Sequence, residues 1–225
     1  LGEIEPDPAQ LEAVGRLDHL AHRLEAMRSV RASLLGRFRK SEPPPRGLYL
    51  HGGVGRGKTM LMDLFYESVR FAPRRRAHFH EFMAGVHERL GVARRETTGD
   101  PITVVAEEIA TSTRLLCFDE LHVTDIADAM ILGRLFKVLF ERRVVVVATS
   151  NAQPSALYRN GLNRQLFLPF IDLIEERMEI LELASAKDFR LDKLAGRKLY
   201  FTPVDERATA ELDHHRERLS GHHTG

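Results

Sequence analysis

Leu48-Tyr49-Leu50-His51-Gly52-Gly53-Val54-Gly55-Arg56-Gly57-Lys58-Thr59 is the stretch that decides the fold. An apolar run leads into G-x-x-x-x-G-K-T, and Met60 to Val69 follows with a helical pattern. A phosphate-binding loop requires that order. Glycines let the backbone curl until successive N–H groups face one anion, and the next helix adds the positive end of its dipole. Gly52, Gly53, Val54, Gly55, Arg56, Gly57, Lys58 and Thr59 are therefore the expected phosphate cradle. Lys58 can reach the β- and γ-phosphates of a nucleotide, and the Thr59 hydroxyl can ligate Mg2+.

A second stretch, Arg114-Leu115-Leu116-Cys117-Phe118-Asp119-Glu120, is an apolar strand ending in two carboxylates, the Walker B pattern. Asp119 at the strand tip can hold the Mg2+ of the nucleotide opposite Thr59. Glu120 should point elsewhere along the pleat, free to polarise a water against the γ-phosphate. Together the two motifs point to a site for ATP and Mg2+.

Length and composition bound the rest. A chain of 225 residues suits one α/β domain with appendages. Hydrophobic residues make up 43%, charged residues 29%, and the net charge is +1, which lends no support to a dedicated nucleic-acid binder. Pro73-Arg74-Arg75-Arg76, the compact basic run, reads as a solvated loop. Cys117, the single cysteine, lies inside the apolar Walker B strand and reads as a small core residue. The longest apolar runs are too short for a membrane span, and no signal-peptide pattern opens the chain, so a reducing, soluble compartment is expected. The first residue is Leu1 rather than Met, which suggests a piece of a longer protein.

Along the chain, Asp7-Pro8-Ala9-Gln10 reads as a helix start, with Gln10 reaching back to the cap. Leu11, Val14, Leu17, Leu20, Ala21, Leu24 and Met27 give an amphipathic helix. Ser41 to Arg46, with three consecutive prolines, is a linker. Ala77 to Phe82 reads as a second strand, with His78 and His80 on one face, followed by a helix to about Leu90. Ile102 to Ala110 reads as helical. Asp125 and Asp128 start a further helix, and Ile126 to Phe140 is apolar nearly all round, as in a buried helix. Val144 to Thr149 is a β-branched run of the kind covered on both faces. Pro154 to Tyr158 reads as a short helical turn, Gln165 to Arg177 as a helix and Met178 to Leu183 as a last strand. A further helix starts at Thr202 and ends near Gly221. Five strands alternating with helices predict an α/β P-loop NTPase, a doubly wound, mostly parallel sheet with the P-loop strand central.

Thr149-Ser150-Asn151 should bring Asn151 to the carboxyl edge of the sheet beside the nucleotide. An amide there can align the attacking water, and an Asn that only caps the following turn would look the same. His78 and His80 lack a third ligand, so packing at the strand is the better reading than a metal site.

The segments GLYLHGGVGRGKTMLMDLFYE, HFHEFMAGVHERL, LLCFDELHVTDIADAMILGRLF, VVVVATSN and LYRNGLNRQLFLPFID closely resemble the ZapE family of AAA-type ATPases, from about Asp7 to about Gly221. The resemblance implies an AAA+ fold with an N-terminal helix and linker over 1–45, a P-loop core over 46–200 and the start of a C-terminal helical lid over 201–225. It implies Mg-dependent ATP hydrolysis in a ring or transient homo-oligomer, with Gly52 to Thr59 as Walker A, Asp119 and Glu120 as Walker B, and Asn151 as first sensor. Arg164 is the implied arginine finger, with Arg159 as competitor. Bacterial members are associated with the FtsZ division ring, and mitochondrial members with quality control of inner-membrane complexes. A cytoplasmic or mitochondrial-matrix location, an FtsZ-like partner and peripheral membrane association follow as expectations, and a helicase-loader type of ATPase is the alternative. One departure is Leu121, where an aromatic residue is expected. Other P-loop classes fit less well. A GTPase switch needs an N-K-x-D motif that is absent from the sequence, and a small-molecule kinase needs an arginine-rich lid.

Overall fold

In the computed structural model, residues 7–32 and 43–184 are described, with the side chains of 28–32 excepted. The helix expected from Thr202 and the 201–225 lid lie outside the described residues. The described chain runs α1 (Pro8–Ala32), β1 (Gly47–His51), α2 (Lys58–Ser68), β2 (Arg74–His78), α3 (Phe79–Glu96), α4 (Pro101–Ser112), β3 (Leu115–Asp119), α5 (Ile126–Glu141), β4 (Val145–Ser150), α6 (Leu168–Arg177) and β5 (Met178–Glu182). Short 3₁₀ turns occupy Pro154–Ala156 and Arg164–Leu166.

The strands form one sheet in the order β2-β3-β4-β1-β5, and all four pairings are parallel. Every strand therefore delivers its carboxyl end to the same edge, where an open α/β sheet binds ligands. The sequence predicts a central P-loop strand, and the structure corrects this: the middle position belongs to β4, whose six residues are all buried. A run of Val and Ala covered on both faces suits the middle position best.

Alternation along the strands divides the core. Leu48, Leu50, Leu115, Cys117, Val145 and Val147 pack in one cluster with Leu17, Leu20 and Leu24 of α1 and Leu61, Met62 and Phe65 of α2. Tyr49, Leu116, Phe118, Val146 and Ala148 face the other way and join α3, α4, α5 and α6. The polar residues Asp119 and Thr149 fall in register with the first set and so turn toward the α2 side. At about 25 cal/mol per Å2 of apolar area, each fully buried leucine here contributes roughly 2 kcal/mol.

Several helices differ from their sequence reading. In α1, Leu11 and Val14 are exposed, and the buried stripe runs through Ala13, Leu17, Leu20 and Leu24. Helix α5 is not buried all round. Asp125 caps it by accepting from the Ala127 N–H, and Ala129, Leu132, Leu135, Phe136 and Leu139 face the core. Its other side, with Met130, Arg134 and Lys137, meets solvent. Pro169 near the N-terminus of α6 delays the regular helix to Leu168, so the expected start at Gln165 is a 3₁₀ turn instead.

The second strand lies earlier than expected. Arg74 to His78 pairs with Leu115 to Asp119, and the helix begins at Phe79. Phe79, Phe82, Met83, Val86 and Leu90 are buried at helical spacing, which outweighs their strand-like composition. Pro73 to Arg76 is consequently no solvated loop. Each arginine of the edge strand has a partner: Arg74 over the Tyr66 ring, Arg75 over Phe82, and Arg76 between two carboxylates.

Candidate active site

The cradle forms where β1 ends. Gly55 and Gly57 both have φ of 81°, a left-handed conformation that a Cβ would strain, and Gly57 directly caps α2. A Cβ on Gly57 would also lie 2.9 Å from the Gln10 amide nitrogen. Gln10 does not reach back to its own helix start. Its Nε2 instead donates to the Arg56 carbonyl at 3.1 Å, tying α1 to the loop, while Asp7 alone caps α1 through the Ala9 N–H. Lys58 Nζ donates to the carbonyls of Gly52 (2.6 Å) and Gly53 (2.7 Å), which holds the ammonium at the loop. Thr59 follows at the first turn of α2, exposed.

Asp119 ends β3 and is buried. Its Oδ2 accepts from Arg76 Nε at 2.7 Å and lies 2.7 Å from Nη2, and Arg76 also pairs with Asp63 of α2. Partial burial works against the Arg76 charge, but the bonds to Asp119 and Asp63 outweigh it and raise its pKa. Asp119 Oδ1 is buried with no hydrogen-bond partner among the described residues. A buried carboxylate oxygen lacking a donor suits a hydrated Mg2+, so the residues fit that ion.

Glu120 is exposed, and its φ of 55° shows how it leaves the sheet. The expectation that the pleat alone would redirect it is corrected here: the backbone turns left-handed after Asp119. The Glu120 N–H donates to Thr149 Oγ1 at 3.1 Å and the Leu121 N–H to the Thr149 carbonyl at 2.7 Å. Leu121, at the departure from the family pattern, is buried.

Asn151 follows Ser150, which pairs with His51, the residue before Gly52. Asn151 and the start of the cradle thus leave adjacent strands at the same edge, and Asn151 is exposed there. Burial pushes the His51 imidazole below its ordinary value, Glu182 opposing the shift and Lys58 adding to it.

The remaining candidates lie elsewhere. Arg164 is half-buried and its Nη2 donates to the Ser155 carbonyl at 2.7 Å, whereas Arg159 is exposed on the preceding turn. His78 and His80 do not share a strand face. His78 ends β2 at the position before α3 and His80 is in the first turn of α3, the rings stacked 5.9 Å apart. No cluster of three metal-binding side chains occurs among the described residues. A cavity of about 520 Å3 between α4 and α5 is lined by Asp100, Glu107, Arg134 and Arg142, already engaged in ion pairs, and is a solvated groove on the far face of the sheet. No described helix is long and apolar enough to cross a membrane.

A parallel sheet carrying a P-loop after β1 and an Asp-Glu pair at the end of β3 is the core of a P-loop NTPase of the AAA+ type. The chain belongs to the AFG1-like ATPase family, which matches residues 1–224. It is 42% identical over 223 residues to the cell division protein ZapE of Escherichia coli K12, covering 94% of this chain and 59% of that protein. It is 49% identical over 170 residues to lactation elevated protein 1 homolog B of Danio rerio, covering 71% of this chain and 34% of that protein. The chain thus spans less than two thirds of the length of these relatives. Among solved structures, domain III of the Thermotoga maritima replication initiation protein DnaA has a TM-score of 0.55 at 15% identity, covering 94% of this chain and 72% of that one. DnaI has a TM-score of 0.54 at 16% identity, covering 80% of this chain and 87% of that one. DnaA bound to AMPPCP and single-stranded DNA has 0.52 at 16%, covering 99% of this chain and 63% of that one. These likenesses concern the fold.

Sequence reasoning missed Gln10, Arg76 and Thr149. Arg76 was hidden in a basic run. Thr149 carried a readable signal, a hydroxyl residue that with Ser150 closes an otherwise apolar strand.

Proposed function

We propose that this chain hydrolyses ATP with Mg2+ and that the hydrolysis drives remodelling of a protein partner in bacterial cell division. The observation that carries the reading is the convergence of Lys58, Asp119, Glu120 and Asn151 at the carboxyl ends of the neighbouring strands β1, β3 and β4. The backbone of Gly52 to Thr59 binds the phosphates, and Lys58 exchanges the Gly52 and Gly53 carbonyls for β- and γ-phosphate oxygens. Thr59 and Asp119 would hold Mg2+, which supplies charge neutralisation on those oxygens. Glu120 takes a proton from the attacking water, and Asn151 orients that water through its amide.

Arg164 is the proposed trans-acting finger, contacting the γ-phosphate of a neighbouring copy in a homo-oligomer; its bond to Ser155 must open for that role. Arg159, exposed on the same segment, is the competing residue. An Arg164→Ala protein mixed with Glu120→Gln should regain turnover at mixed interfaces; if only Arg159→Ala complements in that way, Arg159 is the finger.

An FtsZ-like polymer is the proposed partner, supported by the identity to ZapE, and peripheral membrane association would follow from such a partner. The bacterial cytoplasm is the proposed location, or the mitochondrial matrix for a eukaryotic member. Turnover of ATP measured alone, with polymerised FtsZ and with single-stranded DNA tests the reading. Stimulation by FtsZ is expected. Stimulation by DNA alone would replace the partner with a nucleic acid, against which the engagement of Arg74, Arg75 and Arg76 within the fold already counts.

A further inference from the structure

Glu120 adopts a backbone angle that its own side chain disfavours. At φ 55° the Cβ crowds the following carbonyl, a conformation that persists only where surrounding structure enforces it. The enforcing contacts come from one residue of the neighbouring strand. Thr149 accepts the Glu120 N–H on its hydroxyl oxygen (3.1 Å) and the Leu121 N–H on its carbonyl (2.7 Å). Ser150 extends the clamp: its hydroxyl donates to the Leu121 carbonyl (2.7 Å) and accepts from the Ala152 N–H (3.2 Å). The Tyr49 hydroxyl, on the P-loop strand, donates to the Ala152 carbonyl at 2.8 Å. Asn151 sits in the middle of this chain of bonds.

Thr149 is 1% exposed and directly follows the Val and Ala residues of β4, with Ser150 ending the strand. A valine would fill the same space and suit a buried strand better, so packing does not account for the hydroxyl. We infer that Thr149 is a positioning residue for Glu120, holding the 119–121 turn so that the carboxylate projects from the sheet edge, and mechanically joining that turn to the segment bearing Asn151. This rests on the reading of Glu120 as the group that activates water.

The test uses Thr149→Val, which removes the hydroxyl at nearly constant volume, and Thr149→Ser, which keeps it. In the intact protein, Thr149→Val should lower kcat about 10- to 100-fold, the order that a displaced catalytic group costs. Binding of a fluorescent ATP analogue and the thermal midpoint should stay close to wild type. Thr149→Ser should restore most of the turnover, an outcome that a mere loss of packing would not give. In a Glu120→Gln background, Thr149→Val should reduce the residual rate no further, because both changes act on one group. If Thr149→Val fails to fold, Thr149→Ala takes its place in each comparison. Wild-type turnover in the folded Thr149→Val protein, with Glu120→Gln inactive, would overturn the inference and leave the Glu120 reading standing. Wild-type turnover in Glu120→Gln would instead remove that reading, and the inference with it.

Discussion

Replacing Arg76 by methionine keeps an apolar stem of similar reach and removes the cation that faces Asp119. The Asp119 side chain is 5% exposed and that of Arg76 26%, whereas Asp63 is 46% exposed and contributes little. Two guanidinium nitrogens lie 2.7 Å from one Asp119 oxygen, and the other oxygen is already without a donor. Arg76→Met therefore leaves a buried carboxylate with neither charge partner nor donor, a change that costs ~3–5 kcal/mol in a fully buried pair. Because a quarter of Arg76 meets water, the lower end applies, ~3 kcal/mol. At ~2–4 °C per kcal/mol for a chain of this size, the thermal midpoint should fall by ~6–12 °C. The assay is thermal unfolding by circular dichroism in EDTA, run on wild type, Arg76→Met, Asp119→Asn and the double variant. The double variant removes both charges and should recover most of the loss, giving a coupling of ~2 kcal/mol or more in the cycle. A midpoint for Arg76→Met indistinguishable from wild type, or a coupling below ~0.5 kcal/mol, would refute the claim that Arg76 and Asp119 form a buried pair.

Other outcomes are equally direct. Lys58→Ala should stay folded and lose binding of a fluorescent ATP analogue, since it removes the ammonium that reaches the β- and γ-phosphates; undiminished binding would contradict the P-loop assignment. Gly57→Ala should cost ~1–2 kcal/mol in strain at φ 81° and weaken nucleotide binding as the loop shifts against Gln10; chemical denaturation and the same binding assay measure both. Asp100 caps α4, and the Thr103 hydroxyl followed by backbone bonds and Arg134 holds its carboxyl below the usual range. A lowered folded pKa stabilises above the unfolded pKa and fades as pH falls through the folded one. The Asp100→Ala penalty of ~1 kcal/mol should therefore be present at neutral pH and vanish in acid, and a penalty independent of pH would be evidence against the cap. Burial pushes the Cys117 thiol up to about 12, so DTNB at pH 8 should leave it unmodified until the protein unfolds; rapid labelling of the native protein would be the contrary result.

The sheet and the two phosphate-site motifs were legible because their residues are chosen by local physics. The glycines of the cradle are set by left-handed angles, and the β-branched run of β4 by burial on both faces. Asp125 and the apolar spacing of α5 located a helix start to the residue. What could not be read depended on partners contributed by other elements of the fold. Three arginines in a row look solvated until Tyr66, Phe82, Asp63 and Asp119 are seen around them. Gln10 fits a local cap equally well, and only the proximity of Arg56 shows where its amide goes. Phe79 and Phe82 are strand-like by composition, and their place in a helix follows from burial at helical spacing. The left-handed turn at Glu120 left no mark in composition, because the residue that enforces it lies on another strand.

The central claim is that Glu120 performs the chemistry in a site that binds nucleotide without it. The most direct measurement is single-turnover hydrolysis of ATP by Glu120→Gln, alongside its affinity for a fluorescent ATP analogue. The account predicts unchanged affinity and a rate lower by about 10²–10⁴, the usual loss when a general base is removed. Hydrolysis at the wild-type rate, with nucleotide bound, would contradict it.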